Sequence, residues 1–269
     1  LGFYNPPSNI FWREKMIEVY IPVLIGLILF AVLGWLVSLV TKNVTHVDSM
    51  WSLFFVIAML ITASQAPELT DRHIALMAAL LLWASRLCIF LTIRNWGEPE
   101  DVRYRNIRAN NQPNFHLKSI YIIFLLQALF AAIIALPLVA ILLDDRPYDL
   151  QDKIALAAIL FGLVFQTIAD LQLRSFLRKD TKMGVLNTGL WKYTRHPNYF
   201  GELLIWWGFF IAAVGNASWL IILSPILMTT LLLKVSGVGL MEQTISSRRP
   251  DYPNYIKNTS SFIPWPPKK

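Results

Sequence analysis

The chain has 269 residues, of which 55% are hydrophobic and only 15% charged, with a formal net charge of +7. A soluble globular domain carries about 25% charged residues, so this composition excludes an ordinary soluble protein and indicates an integral membrane protein. The lone cysteine, Cys88, excludes an intrachain disulfide, and the basic excess reads as the basic face of a membrane protein, not as a nucleic-acid surface.

In chain order, the hydrophobic runs predict seven membrane-spanning helices, near 19–40, 47–64, 73–93, 119–143, 153–173, 199–214 and 218–235. The first run, from Val19 to Val40, holds 22 residues and no charge. At about 1.5 Å per residue it reaches about 33 Å, enough for a hydrocarbon core of about 30 Å. It is too long and too late for a cleaved signal peptide, and no small-residue cleavage site follows it. The second run opens on Asp48. "APELTD" and "DDRPYD" are short polar turns, and "NAS" at 216–218 makes the last two spans a hairpin. That tripeptide, "NVT" at 43 and "NTS" at 258 match a glycosylation sequon, but each lies against the membrane or on the predicted inner side, so all are read as chance.

Lys and Arg set the orientation. With the N-terminus outside, 18 loop cations fall on the inner side and five (Arg13, Lys15, Arg72, Arg146 and Lys153) on the outer side. The positive-inside rule therefore predicts an all-α, polytopic membrane protein with its C-terminus in the cytoplasm. The long segments 94–118, 174–198 and the tail from 236 then share one side and hold nearly all the polar chemistry. A basic face beside a membrane suits an anionic soluble ligand meeting a lipid. Lys268 and Lys269 read more simply as contacts to anionic head groups.

Ionisable residues inside membrane spans are costly, about 2.5–3.5 kcal/mol each at mid-span on insertion scales, and are functional candidates by default. Four sets stand out. Asp48 opens the second span, with Trp51 one turn later. Arg86 lies within the third, three residues after Trp83 and on its face. Gln166, Asp170 and Arg174 follow i, i+4 spacing at the inner end of the fifth. Glu202 lies in the sixth, four residues after Asn198. Any one alone serves equally well as an interhelical hydrogen-bond partner; four sets toward one cytoplasmic half favour a site. The histidines His46, His73, His116 and His196 show no metal spacing. "GVG" at 237–239 follows a span and not a strand, so no dinucleotide fingerprint of the Rossmann kind is present.

"ADLQLRSFLRKD" followed by "GLWKYTRHPNYFGELLIWWG" resembles the C-terminal region of the steroid 5α-reductase superfamily. "THVDSMW", "WASRLCIFLTIRNWGEPEDVRYRNIR" and "GVGLMEQTISSRRPDYPNYIKNTSSFIPWPP" are similar to segments of its bacterial-type branch of membrane proteins carrying the domain DUF1295. The resemblance spans about residues 40–267 and implies one membrane domain over 1–269, with NADPH held in a cytoplasm-facing cavity near 166–267 and a carbon–carbon double bond of a lipid reduced there. It implies Asn198 and Glu202 by the nicotinamide, with Gln166, Asp170 and Arg174 toward the nucleotide half. Arg178, Lys179 and Arg195 would meet phosphates, His196 would touch phosphate or serve only the turn before its proline, Tyr193 and Tyr199 would wall the site, and Glu242 would join from the tail. Trp51, Arg86, Arg103 and Tyr104 fall on the substrate side.

Reduction of an enone needs a hydride at the β-carbon, a hydrogen-bond donor on the carbonyl and a proton for the α-carbon. The steroid-reducing members use a Gln-Glu pair and a Tyr as polar partners of the ketone. Here "VDSMW" and Trp83 stand in those places, so a protonated Asp48 or the Trp83 indole N–H is the expected donor. The change admits a fatty enone or isoprenoid as readily as a steroid. "RHPNYFG", the following Glu and the aromatic-Pro ending also resemble S-adenosylmethionine-dependent methyltransferases of the isoprenylcysteine carboxyl type, although "LMEQT" supplies Glu242 alone where those carry a Glu pair. A third reading is a non-catalytic, lipid-binding subunit of a membrane complex.

Overall fold

A computed structural model of the chain describes residues 9–66, 68–178, 184–215, 219–235 and 249–268. The described residues are helical, and no strand occurs among them. The helices are α1 (Asn9–Thr41), α2 (Val47–Ala63), α3 (Asp71–Asn95), α4 (Val102–Asn110), α5 (Phe115–Ser119), α6 (Leu126–Ile134), α7 (Leu136–Leu143), α8 (Leu150–Arg178), α9 (Pro197–Ala213), α10 (Leu223–Thr230) and α11 (Tyr252–Asn258). Short π-helical turns occupy Ile120–Leu125 and Leu231–Val235.

Four stretches among the described residues are long and apolar enough to cross a membrane: Lys15–Thr41, Asp71–Asn95, Phe115–Ile134 and Leu150–Arg178. They fall on the first, third, fourth and fifth expected spans. The other three expected spans are shorter. Val47–Ala63 and Pro197–Ala213 have 17 residues each. Trp219–Lys234 is broken into a 3₁₀ turn, a short α-helix and a π turn. The run expected as one helix over 119–143 is interrupted at Ala135, between α6 and α7. Pro137 is the physical reason: it has no N–H to donate to the carbonyl four residues back. The neighbouring Ile134 carbonyl accepts instead from the Ser224 hydroxyl at 2.7 Å.

The chain forms two compact units, Leu1–Asp149 with Ala213–Ser224, and Leu150–Ala212 with Pro225–Lys269. In the first unit α2 packs between α1 and α3. The Ser52 hydroxyl donates to the Ala84 carbonyl at 2.9 Å, and the Tyr20 hydroxyl donates to the Ala132 carbonyl. Such hydrogen bonds orient helices where lipid gives no hydrophobic drive to pair them. Thr70 caps α3 by accepting from the His73 N–H at 3.4 Å, and the Thr70 N–H donates back to His73 Nδ1 at 3.3 Å. That fixes the tautomer: Nε2 carries the proton and donates to the Asp144 carbonyl at 2.9 Å. The adjacent Arg72, fully buried, donates to the Ile141 and Asp144 carbonyls at 3.0 and 2.9 Å. At the opposite end α1 stops at Lys42, in the left-handed region with φ 54°.

In the second unit α8 and α9 run antiparallel at very close range. A Cβ added at Gly201 would lie 2.6 Å from the Gly162 carbonyl oxygen, and one at Gly162 would lie 2.6 Å from that of Gly201. Only glycine permits two backbones to approach this closely. The contact brings Gln166 opposite Glu202 and Asp170 opposite Asn198, while Gln151 at the other end donates to the Ile211 carbonyl at 2.6 Å.

Candidate functional site

Each unit carries a polar cluster that includes residues singled out from the sequence. In the first unit the segment joining α1 to α2 is held by the segment around α4. Asp101 caps α4 by accepting from the Arg103 N–H at 2.9 Å, and its own N–H donates to Thr45 Oγ1 at 2.9 Å. Glu100 accepts from the Val44 N–H at 3.1 Å and takes a two-pronged bond from Arg108 at 2.8 and 2.6 Å. Arg108 also reaches the Lys42 carbonyl at 3.2 Å and lies over the Phe115 ring at 4.3 Å. The guanidinium thereby satisfies a carbonyl at the end of α1 and packs its flat face on an aromatic ring.

This scaffold presents Arg103 and Tyr104 to Asp48. Arg103 Nη2 lies 2.6 Å from Asp48 Oδ2, and the Tyr104 hydroxyl donates to Oδ1 at 2.6 Å. Arg94 adds a charge at 3.6 Å from Oδ2. Asp48 is thus an acceptor of two strong hydrogen bonds in the first turn of α2, where a negative charge also meets the helix dipole favourably. Burial first, and then the charge of Asp48, hold the Tyr104 phenol well above the usual range for tyrosine. Burial would lower Arg103, but Asp48 and Asp101 outweigh it and raise the guanidinium further. Burial would raise Glu100 and Asp101; hydrogen bonds from Arg108 and Val44 to the first, and from Arg103 to the second, hold both below the usual carboxylate value. Donating to the Glu100 carboxylate raises Arg108.

Below Asp48 an aromatic row descends into the first unit. Trp51 meets Phe55 edge-on at 5.2 Å between ring centroids, and Phe55 meets Trp83 at 5.6 Å. Trp83 is fully buried, and Arg86 lies one turn on, over the Phe90 ring at 5.4 Å. Phe55 was missed by the sequence reading, since a phenylalanine in a hydrophobic run carries no signal of its own.

In the second unit Glu202 is buried. Its Oε2 accepts from Gln166 Nε2 at 2.8 Å, and its Oε1 accepts from Trp206 Nε1 at 3.0 Å. One turn away Asn198 Nδ2 donates to Asp170 Oδ1 at 3.2 Å. Four of the five residues picked out by i, i+4 spacing are two rungs of one ladder between α8 and α9. Trp206 joins them, and its signal was available: it stands four residues after Glu202. Arg174, half-buried, and Arg178, exposed, follow on α8, and neither has an ion pair among the described residues.

The residues before α9 serve a different end. Arg195 is buried, and its Nη1 donates to the Ile256 and Thr259 carbonyls at 3.0 and 2.7 Å, capping α11. Its N–H donates to the Ser260 carbonyl at 2.9 Å, and Thr194 Oγ1 donates to that of Phe262 at 2.8 Å. His196 is buried and stacks on Tyr199, centroids 5.5 Å apart. Tyr193 is exposed, and its carbonyl accepts from the Trp265 N–H at 2.9 Å. The guanidinium assigned to phosphate is thus engaged with the tail. Lys179 and Glu242, also assigned to the cofactor, lie outside the described residues. No group of His, Cys, Asp or Glu suited to a metal ion occurs among the described residues.

Comparison with known proteins gives a family. The model of DUF1295, described as a protein of unknown function, matches residues 34–259. An uncharacterized protein of Schizosaccharomyces pombe is 29% identical over 237 residues, covering 73% of this chain and 66% of the relative, a little under two thirds of its length. No solved structure matches the chain. The matched stretch takes in both the Asp48 cluster and the Glu202 ladder, and the chain belongs to the DUF1295 family.

Proposed function

We propose that this protein is a membrane-embedded reductase that uses NADPH to saturate a carbon–carbon double bond in a lipid. The observation that carries the reading is the Glu202 ladder: a carboxylate, a second carboxylate and two amides gathered on facing helices of an apolar unit. Its donor and acceptor set fits a carboxamide and ribose hydroxyls, and the cations of Arg174 and Arg178 fit phosphates. The resemblance to the steroid 5α-reductase superfamily supports the same assignment. NADPH, when bound, supplies the hydride. Glu202 and Asn198 orient the carboxamide edge, and Asp170 meets the ribose side. In the first unit Arg103 keeps N–H groups free to donate to the substrate carbonyl, while Asp48 holds its guanidinium and the Tyr104 hydroxyl holds Asp48. Trp51, backed by the buried rings of Phe55 and Trp83, gives a flat apolar lipid its contact. We further propose that the shorter helices α2, α9 and the segmented 219–235 stretch also cross the bilayer, with the N-terminus outside and the site toward the cytoplasm, as the cation bias favours.

A second reading has its own observation. Glu202 and Asp48 already receive hydrogen bonds from the protein, as carboxylates do in a purely structural membrane subunit. Mass spectrometry of small molecules released from the purified, detergent-solubilised protein separates the possibilities. Co-purified NADP(H) is the expected result. S-adenosyl compounds would replace the reductase with a methyltransferase, and release of neither would favour the structural subunit.

A further inference from the structure

We propose that the C-terminal tail and the turn before α9 form a platform that docks on an anionic phospholipid leaflet, independently of any catalysis. Backbone hydrogen bonds join these segments into one block: Arg195 N–H to Ser260 O at 2.9 Å, Trp265 N–H to Tyr193 O at 2.9 Å, and Lys268 N–H to Asn258 O at 2.9 Å. The buried Arg195 guanidinium pins the same block from beneath through the Ile256 and Thr259 carbonyls. The backbone is therefore held in place while selected side chains are turned out. Ile263 is 64% exposed and Trp265 is 69% exposed. An isoleucine and a tryptophan this open on a pinned backbone gain nothing in water. Tyr193, next to Trp265 through the backbone bond, is exposed as well.

Charge selects the occupant. Lys192, Lys257 and Lys268 are all exposed in this block, against Asp251 as the one carboxylate within residues 249–268. Aromatic and aliphatic side chains among exposed lysines match the boundary between head groups and acyl chains, with the lysines reaching the phosphates. The level is right too. The block is fastened to the C-terminal part of α8, where the Leu190 N–H donates to Gln172 Oε1 at 3.0 Å and Trp191 Nε1 to the Ala169 carbonyl at 3.1 Å, and α8 is long and apolar enough to span a membrane. The partner is an anionic lipid surface rather than free phosphate, because phosphate alone would leave Ile263 and Trp265 uncovered.

The test uses the full chain in nanodiscs with lipids brominated on the acyl chains, which quench nearby indoles. The Trp265 contribution is the difference between the parent and Trp265→Phe, a change that keeps the backbone bond to Tyr193. Discs contain brominated zwitterionic lipid only, or about 30% brominated anionic lipid at the same total bromine, where each nearby lysine is worth about fivefold in local enrichment. The expected result is quenching of Trp265 in both discs, about twofold or more stronger with the anionic lipid. That excess should vanish in the triple variant Lys192→Ala, Lys257→Ala, Lys268→Ala and persist when inorganic phosphate replaces chloride at equal ionic strength. Absence of Trp265 quenching, equal quenching by the two head groups, or an excess abolished by phosphate would each overturn the proposal.

Discussion

Glu202 shows how one residue separates structure from function. Its two oxygens accept from Gln166 and Trp206. Glu202→Gln keeps the shape, because the introduced amide oxygen accepts from Trp206 while its NH₂ donates to Gln166 with that amide turned over. The stability cost is about 1 kcal/mol or less. Glu202→Leu removes the acceptor of both donors and costs about 1–3 kcal/mol for each. If Glu202 also orients a carboxamide, the Gln variant loses about ten- to hundred-fold in NADPH affinity, since a hydrogen bond to a charged group is worth about 1.5–3 kcal/mol. Melting and nucleotide titration on both variants check this; a Gln variant that binds NADPH as the parent does ends the cofactor role. Arg108 allows a second test at this scale. Glu100 is held below its ordinary value and Arg108 above, so the pair's stabilisation is fully present above the unfolded carboxylate pKa, about 4.3, and is lost as pH falls through the depressed value. Arg108→Gln should lower the melting temperature at pH 7 and flatten its decline between about pH 5 and 3. A parent and variant with parallel pH profiles would show that the pair contributes nothing.

At the level of elements, the decisive contact is the α8–α9 crossing. At Gly162 and Gly201 an added Cβ meets backbone oxygen at 2.6 Å, and backbone cannot move aside. At Gly208 the nearest atom is Ile159 Cγ1, also at 2.6 Å, but the nearest backbone oxygen, of Ala155, lies at 3.0 Å, so the backbone itself is less crowded there. Gly201→Ala should therefore cost about 1–3 kcal/mol, the range for overpacking, and Gly208→Ala distinctly less. Thermal unfolding in one detergent ranks the two. If they destabilise equally, the crossing is looser than described. Gly201→Ala also pushes Gln166 from Glu202, because its Cβ would lie 2.8 Å from Gln166 Cβ, so it should weaken nucleotide binding along with stability.

For the whole molecule, orientation is the property that lipid and charge decide together. The expected topology puts Lys192 in the cytoplasm and Tyr148 outside; both side chains are exposed. In a Cys88→Ala background, single cysteines at these positions should react with a membrane-impermeant reagent from opposite sides. Labelling of the Lys192→Cys variant on intact cells would reverse the model and place the polar clusters outside. The same inversion would bring the "NVT" and "NTS" sequons at 43 and 258 to the outer side.

The sequence by itself determined the helical nature of the chain and the positions of its four longest apolar helices, each long enough to cross a membrane. These depend on composition and local hydrophobicity, which each residue carries alone. It also placed Gln166 with Asp170 and Asn198 with Glu202, because i, i+4 spacing is a local property of a helix. Only the tertiary structure decided which rung faces which. Pairing Gln166 with Glu202 depends on the register of two helices, set by glycines at 162 and 201 that meet only after folding. The same holds for Asp48, whose partners Arg103 and Tyr104 are more than 50 residues away in sequence. It holds for Arg195, which reads as a phosphate ligand in a basic loop but closes the end of α11. A side chain's chemistry is local, whereas what it is spent on is settled by which distant backbone arrives beside it.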